Sequence, residues 1–93
     1  MSPSILTVNS YKIYFWSNEN NEPIHVHIAK GTQSPNSTKV WLTSNGGCLL
    51  DNNNSMIPQH DLNMLLKVIK ANFARICIKW TQHFGASSIR FYI

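Results

Sequence analysis

The hydrophobic period of this chain changes from strand-like to helical across the polar stretch of residues 52–55, and that change divides it into a sheet-forming part and a helix-forming part. Upstream, the apolar runs are strand-like. Tyr11-Lys12-Ile13-Tyr14-Phe15-Trp16 is aromatic and β-branched, a composition that favours a pleated, half-buried surface. Residues 5–8 read as a short strand before it, with Asn9-Ser10 as the turn. Residues 24–30 and 38–43 are two further strands, separated by a turn-rich connection containing Pro35. Ser44-Asn45-Gly46-Gly47 then separates residues 38–43 from residues 48–51, and an Asn-Gly pair between two apolar runs marks a hairpin. These segments make a meander of four or five antiparallel strands.

Downstream, Leu62, Leu65, Leu66, Ile69, Phe73, Ile76, Trp80 and Phe84 follow helical spacing. Pro58 suits the first helical turn, Asp61 complements the positive end of the dipole, and Gly85 suits a left-handed stop. A single helix over this stretch would be on the order of 40 Å long, more than a small sheet needs, which invites a bend or an early stop. Ile89-Arg90-Phe91-Tyr92-Ile93 alternates again and reads as a last strand. The expected fold is α+β: an antiparallel β-meander of four to six strands packed against one long C-terminal helix, with a short final strand. Ile13, Phe15, Val26, Ile28, Val40 and Leu42 would meet the helical stripe as the core. There is no linker, repeat or low-complexity tail, so residues 1–93 form a single domain.

Ninety-three residues can bury one core but leave little room for a deep enclosed active site. The charged fraction, 13%, is about half the usual quarter, so asparagine and serine supply much of the polar surface. Eight basic residues against four acidic ones give +4, which favours acidic partners, either nucleic acid or an acidic protein. In sequence the basic residues are dispersed and form no run. Cys48 and Cys77 lie far apart within apolar patterns and read as two reduced, packed thiols. No signal peptide and no membrane-length apolar window is seen, so a cytoplasmic protein that does not enter the membrane is expected.

Two histidines, in Glu22-Pro23-Ile24-His25-Val26-His27-Ile28, carry the clearest chemical signal. In a strand His25 and His27 share one face, while Ile24, Val26 and Ile28 take the other. The imidazole face stands beside a loop carrying Glu19 and Glu22. Three chemistries fit this pattern. A divalent metal needs three or four ligands, so His25 and His27 would need His60 at the helix start or a nearby carboxylate. As an acid–base pair, the two imidazoles could cleave a phosphodiester, with Lys30 or Lys39 stabilising the developing charge. As a recognition surface, Glu19, Glu22, His25, His27, Lys30 and Lys39 would bind a partner without chemistry. No phosphate loop, nucleophile elbow or glycine fingerprint is present.

The helix offers a second surface. In one continuous helix, Met64, Val68 and Ile78 fall opposite the core stripe, among Lys67, Arg75 and Lys79. Either the final segment covers them, or they meet a second copy of the chain or another protein.

Taken together, Tyr14-Phe15-Trp16-Ser17-Asn18-Glu19, Glu22-Pro23-Ile24-His25-Val26-His27 and Lys39-Val40-Trp41-Leu42 resemble the bacterial family called domain of unknown function 4160 (DUF4160). The helix close, from Asn72 through Ile76, Trp80, Phe84 and Gly85, is similar to that family's as well. The resemblance implies a small protein often encoded beside another, in arrangements like toxin–antitoxin pairs or phage–host conflict systems. It implies no activity, since the family has none assigned. The expectation is a binding module acting on another protein, with homodimerisation and nucleic-acid contact also in view. The competing expectation is a histidine-dependent nuclease using His25 and His27, with or without a divalent metal.

Overall fold

The computed structural model describes residues 4–16, 22–34 and 37–93. The apolar runs of the first half form β1 (Ser4–Val8), β2 (Tyr11–Tyr14), β3 (His25–Lys30), β4 (Thr38–Leu42) and β5 (Cys48–Asn52). Each pairs antiparallel with the next, giving one five-stranded meander in chain order. Asn9 and Ser10 both take positive φ, +47° and +72°, as the tight turn between β1 and β2 demands. At the Asn45-Gly46 hairpin, Gly46 takes φ +84°, where a side chain would be strained.

Register fixes the two faces. Ile13 opposes Ile28, and Val26 opposes Val40, on the helix side. Tyr14 opposes His27, and His25 opposes Trp41, on the other side. All six strand residues expected in the core are fully buried there, in one cluster with Leu62, Leu65, Ile69, Ile76 and Trp80. Burying each of those large side chains contributes about 1.5–3 kcal/mol.

The expected single long helix is instead two: α1 (Gln59–Ala71) and α2 (Phe73–Phe84). The break has a local cause at Asn72. Its backbone leaves the helical region (φ −108°, ψ 19°), and its side-chain Nδ2 donates to the Val68 carbonyl. An asparagine that bonds the preceding turn competes with helix continuation. Pro58 stands at the N-cap, one residue before α1, and Gly85 closes α2 with φ +105°.

The expected final strand also does not form. Residues 88–93 join no ladder and run as a strap across the strand ends. The Ile24 N–H donates to the Arg90 carbonyl, and the Ser44 N–H to the Ile93 carbonyl, each at 2.8 Å. Because the strap crosses the ends of β3 and β4, it cannot run alongside an edge strand. Ile89 and Phe91 pack against the core from this position.

Candidate functional site

Alternation in β3 puts His25 and His27 on the sheet face away from the helices, as their spacing requires. That face does not present them to solvent. His25 is 0% exposed and His27 1%. The His27 ring stacks on Tyr14 with centroids 5.7 Å apart. The Tyr14 hydroxyl donates to the Ser34 carbonyl at 2.8 Å and accepts from the Ser34 N–H at 2.9 Å, which ties the segment after β3 to this face. The His25 ring lies 5.5 Å from both Trp41 and Trp80. Trp80 also meets Phe15 at 5.1 Å, so this one indole from α2 contacts rings belonging to both faces of the sheet.

Each histidine holds a backbone carbonyl through Nδ1: His25 that of Pro23 at 2.8 Å, and His27 that of Ser37 at 3.4 Å. A carbonyl only accepts, so Nδ1 carries the hydrogen of each bond, and any basic nitrogen on either ring is Nε2. The two rings meet edge to face, 5.2 Å apart.

Lys39 and Trp41 continue this face on β4. The Lys39 ammonium sits 4.3 Å from the Trp41 ring centroid and pairs with the Glu22 carboxylate. Trp41 Nε1 donates to Asp51 Oδ1 at 3.1 Å, and Tyr92 of the strap stacks on the indole at 4.9 Å and 9°. Tyr92 stays 54% exposed, as does Leu49 (42%), which opposes Trp41 on β5. The result is an aromatic patch with one ion pair on top, seated on buried imidazoles.

The structure brings together Glu22, His25, His27 and Lys39, and leaves other candidates elsewhere. Glu19 lies outside the described residues. Lys30 is exposed at the far end of β3, 5.5 Å above the Tyr11 ring. His60 is exposed at the start of α1, in a cleft with Asn63, Met64 and Lys67, and does not join the other two histidines. Among the described residues no group of three His, Cys, Asp or Glu side chains is placed to hold a metal ion. Met64 and Val68 turn out half-buried against the core, so only Ile78, 55% exposed, is open among the three helix-surface candidates.

Among the described residues three groups have shifted acidity, each for a plain reason. Tyr11 donates to Asp61 Oδ2 at 2.7 Å, and that bond, with burial and the carboxylate's charge, holds its phenol above the ordinary 10.0. Burial raises the Cys48 thiol, partly opposed by Lys70, and burial raises the Cys77 thiol. Both cysteines are therefore held in the unreactive thiol form. Sequence reasoning overlooked Tyr14 and Tyr92. The register of β2 against β3 would have found Tyr14, but nothing local placed Tyr92 on Trp41.

A family match covers residues 10–81, from the start of β2 to within α2, and includes the paired histidines on β3. The chain belongs to the DUF4160 family, domain of unknown function 4160. Among curated proteins and among solved structures, none matches it. In this DUF4160 member the matched region holds Glu22, His25, His27, Lys39, Trp41 and Asp51, while Tyr92 lies beyond it. Among the described residues no helix is long and apolar enough to cross a membrane.

Proposed function

We propose that this DUF4160 member is a binding module that engages another protein through the sheet face opposite its helices. The observation that carries the reading is the exposed Tyr92 held on an immobilised Trp41, itself only 8% exposed: the indole N–H bonds Asp51, its ring meets the Lys39 ammonium and Tyr92, and Lys39 is itself pinned by Glu22. A pre-ordered Trp–Tyr–cation cluster loses little side-chain entropy on docking, and such residues dominate interface energetics. Exposed Leu49 and Tyr92 widen the apolar contact. The buried imidazoles support this reading as well, because they serve as the floor of the patch. The toxin–antitoxin or phage-conflict setting rests on the family resemblance alone.

The test is coexpression with the product of the adjacent reading frame, followed by titration calorimetry of the purified pair. Lys39→Gln and Tyr92→Ala should each weaken affinity at least about tenfold, with circular dichroism checking that each variant is folded. Unaltered affinity in both variants overturns the assignment of this face.

A second reading, a nuclease using His25 and His27 with or without a divalent ion, has one observation in its favour. Both rings are oriented through Nδ1 by a carbonyl, the same arrangement that prepares Nε2 as a base or a ligand. Cleavage of labelled RNA, with and without chelator, tests it. Activity lost in His27→Asn, with the fold intact, would favour it over the binding module.

A further inference from the structure

The basic residues that look dispersed in sequence are segregated in the fold. Residues 1–61 carry three basic and four acidic side chains; residues 62–93 carry five basic and no acidic one, which together yield the chain's +4. Lys67 and Lys70 on α1, Arg75 and Lys79 on α2, and Arg90 in the strap are all exposed. None of the five makes an ion pair among the described residues. The only acid on either helix, Asp61, sits at the start of α1 and is engaged by Tyr11. The outer side of the helical layer is thus a single-sign surface.

Helix phase explains why these residues share it. On α1, Leu62, Leu65 and Ile69 face the sheet, which turns Lys67 and Lys70 outward. On α2, Ile76 and Trp80 face inward, which turns Arg75, Ile78 and Lys79 outward. Each helix carries two of these cations within about a turn of one another, Lys67 with Lys70 on α1 and Arg75 with Lys79 on α2, a spacing that suits neighbouring backbone phosphates.

We propose that the outer face of α1 and α2 binds the phosphate backbone of duplex DNA. Charge complementarity selects a polyanion. Among the described residues the phenylalanines and tryptophan of the two helices, Phe73, Trp80 and Phe84, all pack inward, and exposed His83 lies against Phe15 and Phe84, so this face offers little platform for unstacked bases and selects a duplex. A second copy of the chain is a poor occupant here. A two-fold contact through Ile78 would set Arg75 and Lys79 of one copy against the same cations of the other. Ile78 is placed instead to pack on the sugars between phosphate contacts. Contacts to phosphates carry no sequence information, so the binding proposed is independent of sequence. This surface and the Trp41 patch lie on opposite sides of the sheet, and each stands or falls alone.

The experiment is fluorescence anisotropy of a labelled mixed-sequence 20-base-pair DNA duplex, titrated with the full chain across a salt series. Four phosphate contacts predict a log–log salt slope of about −3.6, so affinity falls by roughly a hundredfold from 50 to 200 mM salt. Lys67→Gln, Arg75→Gln and Lys79→Gln should each lower the slope by about one, while Lys12→Gln, on the sheet, should leave it unchanged. Circular dichroism checks that each variant is folded. No binding at 50 mM salt overturns the proposal, as does a Lys12→Gln effect equal to that of Arg75→Gln. Stronger binding to the single strand, or equal binding to polyglutamate, also overturns it, the last pointing to an acidic protein.

Discussion

Tyr14 and His27 stack across the β2–β3 ladder while the Tyr14 hydroxyl both donates to and accepts from the backbone of Ser34. One side chain thus orders a histidine and the segment that follows its strand. Tyr14→Phe keeps the stack and removes both hydrogen bonds, leaving the Ser34 N–H and carbonyl to find new partners. The expected cost is about 1–3 kcal/mol. Urea unfolding measures it, and amide exchange should quicken at residues 31–34 more than in the helices. A variant as stable as the parent would show that Ser34 is held by other contacts.

The Tyr11–Asp61 bond predicts a loss of stability in alkali. The folded chain holds the phenol above its ordinary 10.0, because Asp61 accepts its proton and burial disfavours the phenolate. A raised folded value means that the unfolded chain ionises first. The associated stability is complete below about pH 10 and drains away as pH climbs through the folded value. The raised Cys48 and Cys77 thiols act in the same direction from about pH 9, so wild-type protein alone does not isolate the phenol. The stability difference between wild type and Tyr11→Phe does. It should stand near 1–2 kcal/mol at pH 8 and shrink toward pH 11 under reducing conditions. A difference that stays constant over that range would contradict the argument.

The break at Asn72 separates the helix residues into three energetic classes. Leu65→Ala empties a fully buried site and should cost about 2–5 kcal/mol. Met64→Ala and Val68→Ala, at half-buried positions, should cost roughly 1 kcal/mol each. Ile78→Ser should stay within about 0.5 kcal/mol. Thermal unfolding of the four variants gives the ranking, and a large loss at Ile78 would mean that this face is covered in solution.

Those classes also show what the chain discloses locally and what it does not. The strands, their order and the Asn45-Gly46 hairpin follow from a period of two and from turn chemistry, both local properties. Helix length alone invites a bend, but its position is not legible because the apolar spacing runs without a phase error from Leu62 to Phe84, and the interruption comes from a hydrogen bond of Asn72 to Val68. That is why a single projection put Met64, Val68 and Ile78 on one surface. Residues 89–93 alternate as a strand does, yet their partners are the ends of β3 and β4. The shared face of His25 and His27 was legible from spacing. Their enclosure was not, since it depends on Tyr14 with Ser34, and on Trp80 arriving from α2.

Enclosure makes alanine a poor probe of the histidines. His25→Ala would open a cavity among Trp41 and Trp80 and strand the Pro23 carbonyl, at about 2–4 kcal/mol, whatever the protein does. Asparagine separates the roles. Its amide NH2 lies close to where Nδ1 stands, so His25→Asn and His27→Asn can still donate to Pro23 and Ser37, but both lose the basic Nε2. If the histidines are the floor of a binding patch, the asparagine variants should recover at least half of the stability lost in the alanine variants. They should also retain partner affinity within about threefold, roughly 0.7 kcal/mol. If Nε2 acts on a substrate or ligates a metal, stability should recover in the same way while activity stays lost. Paired denaturation and binding measurements on His25→Ala, His25→Asn, His27→Ala and His27→Asn decide between the two, because only the chemical role lets stability and function part company.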